Sequence, residues 1–207
     1  MKIYPSSLYI HYVYADSNRV QFYYETNMYI LKNNPCWPVP EFIPEASVKC
    51  EFDAKTLSFE FSVSEPPECF RMQCQKDGEP CWQDSCVEIF VHSPSRGMYY
   101  NFECSCTGFC LAEYGTQRAN RIQFENYDDI HRIWQRRPEL IEGRYYWALK
   151  VVISRELIGL KPDESVCGNL YKCASGAACP HYLTLFPIDT PTPDFHRPEF
   201  FKPIWAE

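Results

Sequence analysis

Between Leu57 and Ser64 apolar and polar side chains alternate without a break: Leu57, Phe59, Phe61 and Val63 on one side, Ser58, Glu60, Ser62 and Ser64 on the other. Successive side chains of a strand point to opposite faces, so this period of two excludes a helix and specifies a strand with one buried face. Residues 47–52 form a second strand leading into it through the turn Asp53-Ala54-Lys55-Thr56. The same reading gives strands at Cys86–His92 and Met98–Cys106, joined by the turn Ser93-Pro94-Ser95-Arg96-Gly97, and a short one at Cys110–Tyr114. Tyr145–Ser154 reads as a central strand, and two more are expected near Gly168–Ala174 and His181–Phe186. In Tyr127–Trp134 the spacing of Ile130, Ile133 and Trp134 predicts a short helix ended by Pro138, and Arg155–Leu160 predicts one helical turn. Pro187–Pro203 carries five prolines and is expected to wrap the molecule in extended form. Residues 1–46 are expected to be an irregular lead-in, rich in aromatics and proline, that packs on the strands through Trp37. Trp134 and Trp147 suit core positions, and Trp205 an edge strand. Many short strands and no internal repeat point to an all-β sandwich forming one domain over residues 1–207.

The 207 residues suffice to bury a core without disulfide or metal staples. A net charge of −7 argues against nucleic-acid and anionic-membrane partners, whose phosphates call for a basic surface. No run approaches a spanning helix, and the N-terminal segment lacks the parts of a secretory signal, so a chain starting naturally at Met1 is expected in the cytoplasm. The 12 cysteines show no paired Cys-x2-Cys, and several fall at alternating strand positions, where a free thiol behaves as a small hydrophobe. They read as reduced structural thiols; disulfides and a metal site are the alternatives.

The hairpin of residues 86–106 carries the unusual chemistry. In CWQDSCVEIFVH, Val87, Ile89 and Val91 share one face, while Cys86, Glu88, Phe90 and His92 share the other. On the partner strand Tyr99, Asn101, Glu103 and Ser105 fall on one face. Hairpin register brings the two polar sets together beside Trp82, which precedes the first strand. Carboxylates and amides hydrogen-bond hydroxyls, and an indole stacks on the C–H face of a pyranose, so the mixture suits a sugar. The plainer alternative is a solvated face, or a Glu88 paired with Arg118, Arg121 or Arg197.

Three segments together, CWQDSCVEIFVHSPSRGMYYNFECSCTG, YYWALKVVISRELIGL and GNLYKCASGAACPHYLTLFPIDTPTPDFHRPEFF, resemble the family 9 carbohydrate-binding modules, and more closely the stand-alone bacterial carbohydrate-binding family 9-like proteins. The match begins near Asn34-Pro35-Cys36-Trp37-Pro38 and keeps family order to the C-terminus. The resemblance implies a jelly-roll-like β-sandwich that binds a mono- or disaccharide, commonly at a chain end, between two aromatic rings helped by carboxylates and amides, with a role in carbohydrate metabolism. Trp82 and Glu88 match the first tryptophan and the acidic position. The second ring is expected where this chain has Leu185; Phe186 is its neighbour, placed by alternation on the other face. The resemblance also allows a structural calcium ion, although no run spells a calcium loop; no other cofactor is expected.

The candidate ligand-binding set is therefore Trp82, Glu88, Tyr99, Asn101, Glu103, His181, Phe186 and Arg197. For His181 and His196 a structural hydrogen bond is the competing role, and for Arg197 an ion pair to Glu199 or Glu103 that pins the tail. The expected protein is a non-catalytic sugar binder whose partner protein is unknown. Two alternatives remain: a glycosidase using Glu88 and Glu103, and a sandwich that has drifted to protein interaction or metal binding. No Cys-His nucleophile signature and no phosphate-binding glycine loop is present.

Overall fold

The computed structural model describes residues 28–206. Twelve strands carry the fold: β1 (Met28–Asn33), β2 (Glu45–Phe52), β3 (Thr56–Glu65), β4 (Cys86–Ser93), β5 (Met98–Ser105), β6 (Cys110–Gly115), β7 (Ile122–Gln123), β8 (Ile130–Ile141), β9 (Arg144–Ser154), β10 (Val166–Cys173), β11 (Tyr182–Thr184) and β12 (Lys202–Ile204). Every pairing is antiparallel, in the order β7-β6-β5-β4-β10-β11-β1-β2-β3-β9-β8, and β12 joins β10 beside β11. The sheet curls at the β11–β1 junction, so that the layer β7-β6-β5-β4-β10-β11 packs over the layer β1-β2-β3-β9-β8. The main core lies between: Leu57, Phe59, Phe61 and Val63 of β3 and Leu149, Val151 and Ile153 of β9 meet Val87, Ile89, Val91, Phe102 and Leu170 from the opposite layer. The alternation of residues 57–64 thus supplies one wall of a β-sandwich.

Among the described residues there is no α-helix, only four three-residue 3-10 turns. The helix expected at Tyr127–Trp134 is the start of β8, paired with β9 from Ile130 opposite Ile153 to Ile141 opposite Arg144. Its true period is two: Ile130, Arg132 and Trp134 are the more buried residues, His131 and Ile133 the exposed ones. Pro138, read as a helix stop, sits where the register of β8 is irregular. An edge strand tolerates a residue with no N–H to donate. Glu142 and Gly143, at φ of 49° and 82°, close the β8–β9 hairpin in the left-handed conformation that two-residue hairpin turns require. Residues 155–160 form turns rather than a helix.

The expected irregular lead-in contains β1, which bridges the two layers by pairing both β2 and β11, and the start of β2. Residues 1–27, including those read for a targeting signal, lie outside the described residues. Trp37 does pack onto the sandwich, donating its indole N–H to the Thr190 carbonyl at 3.0 Å. Trp147 is buried in the core, Trp134 is half-buried with its indole N–H on the Cys106 carbonyl, and Trp205 is exposed just beyond β12.

Both faces of the β4–β5 hairpin are buried, because the extended tail and the 66–85 loop cover the outer face. There Phe195 stacks on Tyr171 at 4.0 Å between ring centres, and Phe90, Tyr99, Trp37 and Cys173 complete a second, smaller core. All twelve cysteines carry free thiols and nine are buried. Burial raises the Cys74 thiol to about 11, which leaves it protonated and unreactive at neutral pH.

Candidate functional site

The hairpin register places Glu88 directly opposite Glu103, Phe90 opposite Asn101 and Cys86 opposite Ser105. The outer face therefore gathers the polar set, and the tail fills only part of it. What stays open is a cleft of about 180 Å³ lined by Trp82, Glu88, Glu103, Arg121, Tyr182 and His196, with Arg118, Cys173, Ser175 and Pro193–Phe195 completing the wall. Pockets for drug-sized ligands run to roughly 300–1,000 Å³, so this one suits a single small ligand. Two larger hollows, of about 470 and 730 Å³, lie elsewhere; their charged residues, Glu45 and Arg136 in one and Arg96 and Glu125 in the other, are all exposed. Of these three, only the small cleft has buried carboxyl groups in its lining.

Trp82 sits in the 3-10 turn Cys81–Gln83 immediately before β4 and is 41% exposed. Asp84 holds that turn in place. Fully buried, it accepts hydrogen bonds from the backbone N–H groups of Gln73 and Cys74, each at 2.8 Å, from the Ser105 hydroxyl at 3.1 Å and from the Arg71 guanidinium. The Trp82 carbonyl accepts the backbone N–H of Ser175, tying the turn to the end of β10. The indole is thus an exposed ring on a pinned backbone, as a stacking platform requires.

Glu88 and Glu103 form the floor. Glu88 accepts a hydrogen bond from the Cys173 thiol at 2.9 Å, and Glu103 accepts one from the Asn101 amide at 3.0 Å. The other Glu103 oxygen is buried without a hydrogen bond, as is the Asn101 carbonyl oxygen. Burial drives both carboxyls well above the usual range; Cys173 adds to the effect at Glu88, and Glu88 adds to it at Glu103. Arg121 opposes both shifts from the wall, where it pairs with Glu113 at 2.7 Å and reaches the His196 imidazole. That imidazole is held neutral, its pKa lowered to about 2 by burial and by Arg121. Asp194 pairs with Arg118 at 3.2 Å on the rim.

Of the eight residues expected from sequence, the cleft brings together Trp82, Glu88 and Glu103. Tyr99 is buried in the smaller core with its hydroxyl 3.0 Å from His196 Nδ1, and Asn101 lies beneath Glu103; each touches a wall residue rather than the opening. His181 lies behind the sheet, where Lys172 Nζ reaches its Nε2 at 2.8 Å and its Nδ1 meets the Cys179 carbonyl. Arg197 pairs with Glu199 at 2.7 Å, one of its two anticipated partners, and stays outside the lining. His196, weighed from sequence but outside the candidate set, lines the cleft, and so do Arg121, Tyr182, Asp194 and Phe195, which the sequence does not mark as binders. Asp194, Phe195 and His196 belong to the P-D-F-H-R-P run, whose Arg197 stays outside the cleft.

The family model of carbohydrate-binding family 9 matches residues 24–205. The chain belongs to that family. Among solved structures, a putative carbohydrate-binding protein from Bacteroides uniformis superposes with a TM-score of 0.75 at 28% identity, covering 87% of this chain and 86% of that one. A family 9 module from Caldicellulosiruptor kristjanssonii in complex with glucose gives 0.47 at 14% identity, over 84% and 83%. One from the same organism with cellotriose gives 0.48 at 12%, over 78% and 73%. No curated protein matches the chain.

Family 9 resemblance placed a second ring at Leu185. Leu185 and Phe186 both pack against the main core, and Phe186 takes Lys202 Nζ at 5.7 Å from its ring centre. Neither reaches the cleft; Tyr182, half-buried on β11 opposite Cys173, supplies an aromatic there instead. Calcium takes six to eight oxygen ligands. Among the described residues the one gathering of three or more His, Cys, Asp or Glu ligand atoms is Cys86, Glu88 and Cys173, too rich in sulfur for that ion.

Proposed function

We infer that this family 9 chain is a non-catalytic binder of a small carbohydrate, one or two sugar units, held in the cleft against Trp82. The observation that carries the reading is the exposed indole on a fixed turn at the mouth of a small cleft floored by two buried carboxyls. Glu103 has a buried oxygen without a partner, and a sugar hydroxyl is the donor it lacks. Arg121 and Asp194 add a donor and an acceptor to the wall, and Tyr182 adds a second apolar surface. The C. kristjanssonii modules in complex with glucose and cellotriose name the class of sugar to try first.

A glycosidase must place its two carboxyl groups on either side of the scissile bond. Glu88 and Glu103 are cross-strand neighbours on one floor, so a sugar lies over both rather than between them. That arrangement favours holding over hydrolysis.

Calorimetry with glucose, cellobiose and a panel of other mono- and disaccharides tests the reading. At least one is expected to bind the wild type, and Trp82→Ala to weaken it about tenfold, equivalent to about 1.4 kcal/mol. If no saccharide binds the wild type better than Trp82→Ala, the reading fails. Release of free sugar or aglycone from glycosides, abolished by Glu88→Gln, would replace it with the enzymatic one.

A further inference from the structure

At the end of β4 nearest Trp82, Cys86 stands directly opposite Cys173 of β10, and Glu88 follows Cys86 by two residues on the same strand. Side chains two apart on a strand share a face, and directly opposed residues on neighbouring strands have Cβ atoms about 4.5–5.5 Å apart. The backbone therefore aims two thiols and a carboxyl at one point. Their ligand atoms all lie within 4.8 Å of one another, and all three residues are buried. Two sulfurs at about 2.3 Å and an oxygen at about 2.0–2.2 Å from a tetrahedral zinc ion sit at separations of this size.

We propose that Cys86, Cys173 and Glu88 form a site for a thiophilic divalent cation, zinc by chemical class, whose fourth position opens into the cleft. Cys173 and Glu88 both line that cleft, so the ion has an entry path and a water ligand has room. Cys86 closes the site from behind. Loading replaces the two thiol protons with the metal, as thiolate ligation demands.

A thiol is a weak donor, yet the Cys173 thiol is the hydrogen-bond donor to the buried Glu88 carboxyl. A disulfide between Cys86 and Cys173 would remove that donor and leave the carboxyl buried with less support. A cation bound to all three satisfies both sulfurs and the oxygen at once. A bound cation also supplies counter-charge to the buried Glu88 carboxyl.

The experiment is zinc loading of the full chain, purified under reducing conditions and exchanged free of chelator. Elemental analysis is expected to give one equivalent of zinc in the wild type, retained in Cys104→Ser and lost in Cys86→Ser and Cys173→Ser. X-ray absorption on the zinc-loaded wild type is expected to show two sulfur scatterers with oxygen or nitrogen completing the shell, a readout that needs no variant to fold. Absence of stoichiometric zinc, zinc retained in both serine variants, a shell with three or four sulfurs, or a Cys86–Cys173 disulfide found by mass spectrometry in the protein as purified would each overturn the site. Trp82→Ala leaves all three ligands in place and is expected to keep its zinc, so loss of the sugar reading and loss of the metal reading are separate outcomes.

Discussion

His181 is a buried base kept neutral. It sits behind β10 with Lys172 Nζ on its Nε2, Glu65 at 4.0 Å and the Cys179 carbonyl on Nδ1, so the proton belongs on Nδ1 and Nε2 accepts. Burial, then the Lys172 charge, lower its pKa to about 2, against about 6.5 in the unfolded chain. Below about pH 6.5 the unfolded state therefore binds a proton that the native state refuses. Stability from this residue is complete above that pH and drains away as pH falls toward 2. At about pH 5 the loss reaches about 2 kcal/mol. His181→Gln, which cannot be protonated, is expected to be less stable than wild type at pH 7 and to recover about that amount relative to wild type at pH 5. Urea titrations of both proteins at the two pH values measure it. A stability gap unchanged by pH would mean that His181 already carries its proton in the fold. Nothing local in Pro180-His181-Tyr182 reveals this role, because the lysine and the glutamate that define it come from other strands.

On β10 the two faces do different work. Tyr171 and Cys173 point to the outer core and the cleft, while Leu170 and Lys172 point into the sandwich. There the Lys172 ammonium, fully buried, lies 2.9 Å from Glu65 of β3 and donates to the Cys173 carbonyl and to His181, while Glu65 accepts the Trp147 indole N–H at 2.7 Å. This ion pair joins the two layers of the sandwich. Lys172→Met keeps much of the volume and leaves Glu65 as an uncompensated buried charge, which is expected to cost about 3–5 kcal/mol. Converting both partners, Lys172→Met with Glu65→Gln, is expected to restore most of it, and a double-mutant cycle by chemical denaturation measures the coupling. Strands with a clean period of two, such as β3 and β5, were legible in the sequence, and so was the β4–β5 register, because local alternation fixes both. Strand β8 was not: Ile130, Ile133 and Trp134 satisfy a helical spacing as well, and pairing with β9 decides between the two. The Lys172–Glu65 pair was equally hidden, since alternation says which side a lysine faces but not what waits there.

For the molecule as a whole, the decisive element is one without regular structure. The tail from Pro187 onward crosses the outer face of the β4–β5–β10 layer, lays Phe195 on Tyr171, brings Asp194 and His196 to the cleft, and ends by pairing β12 with β10. Sequence showed that this stretch is extended and wraps, because its prolines forbid a helix. It could not show which residues face the cleft, since an extended tail takes its side-chain orientation from the surface beneath it. The consequence is that half of the binding wall is rigid sheet and half is a docked strap, so a ligand that bridges them should hold the strap down. With sugar at about 100 times its dissociation constant, binding adds about 2.7 kcal/mol to any opening that breaks the site, an expected slowing of about 100-fold. The His196 and Arg197 amides, bonded only to the Asp194 carboxyl and the Phe195 carbonyl within the strap, should show that slowing in hydrogen exchange. Amides of β8, at the far edge of the sheet, should open locally and exchange at the same rate with or without sugar. Phe195→Ala, which removes the ring that fastens the strap to Tyr171, should cost about 3–5 kcal/mol and weaken the sugar together with the protection. Equal slowing at β8 and in the strap would mean that the ligand reports only global unfolding, and no slowing in the strap would move the binding surface away from this cleft.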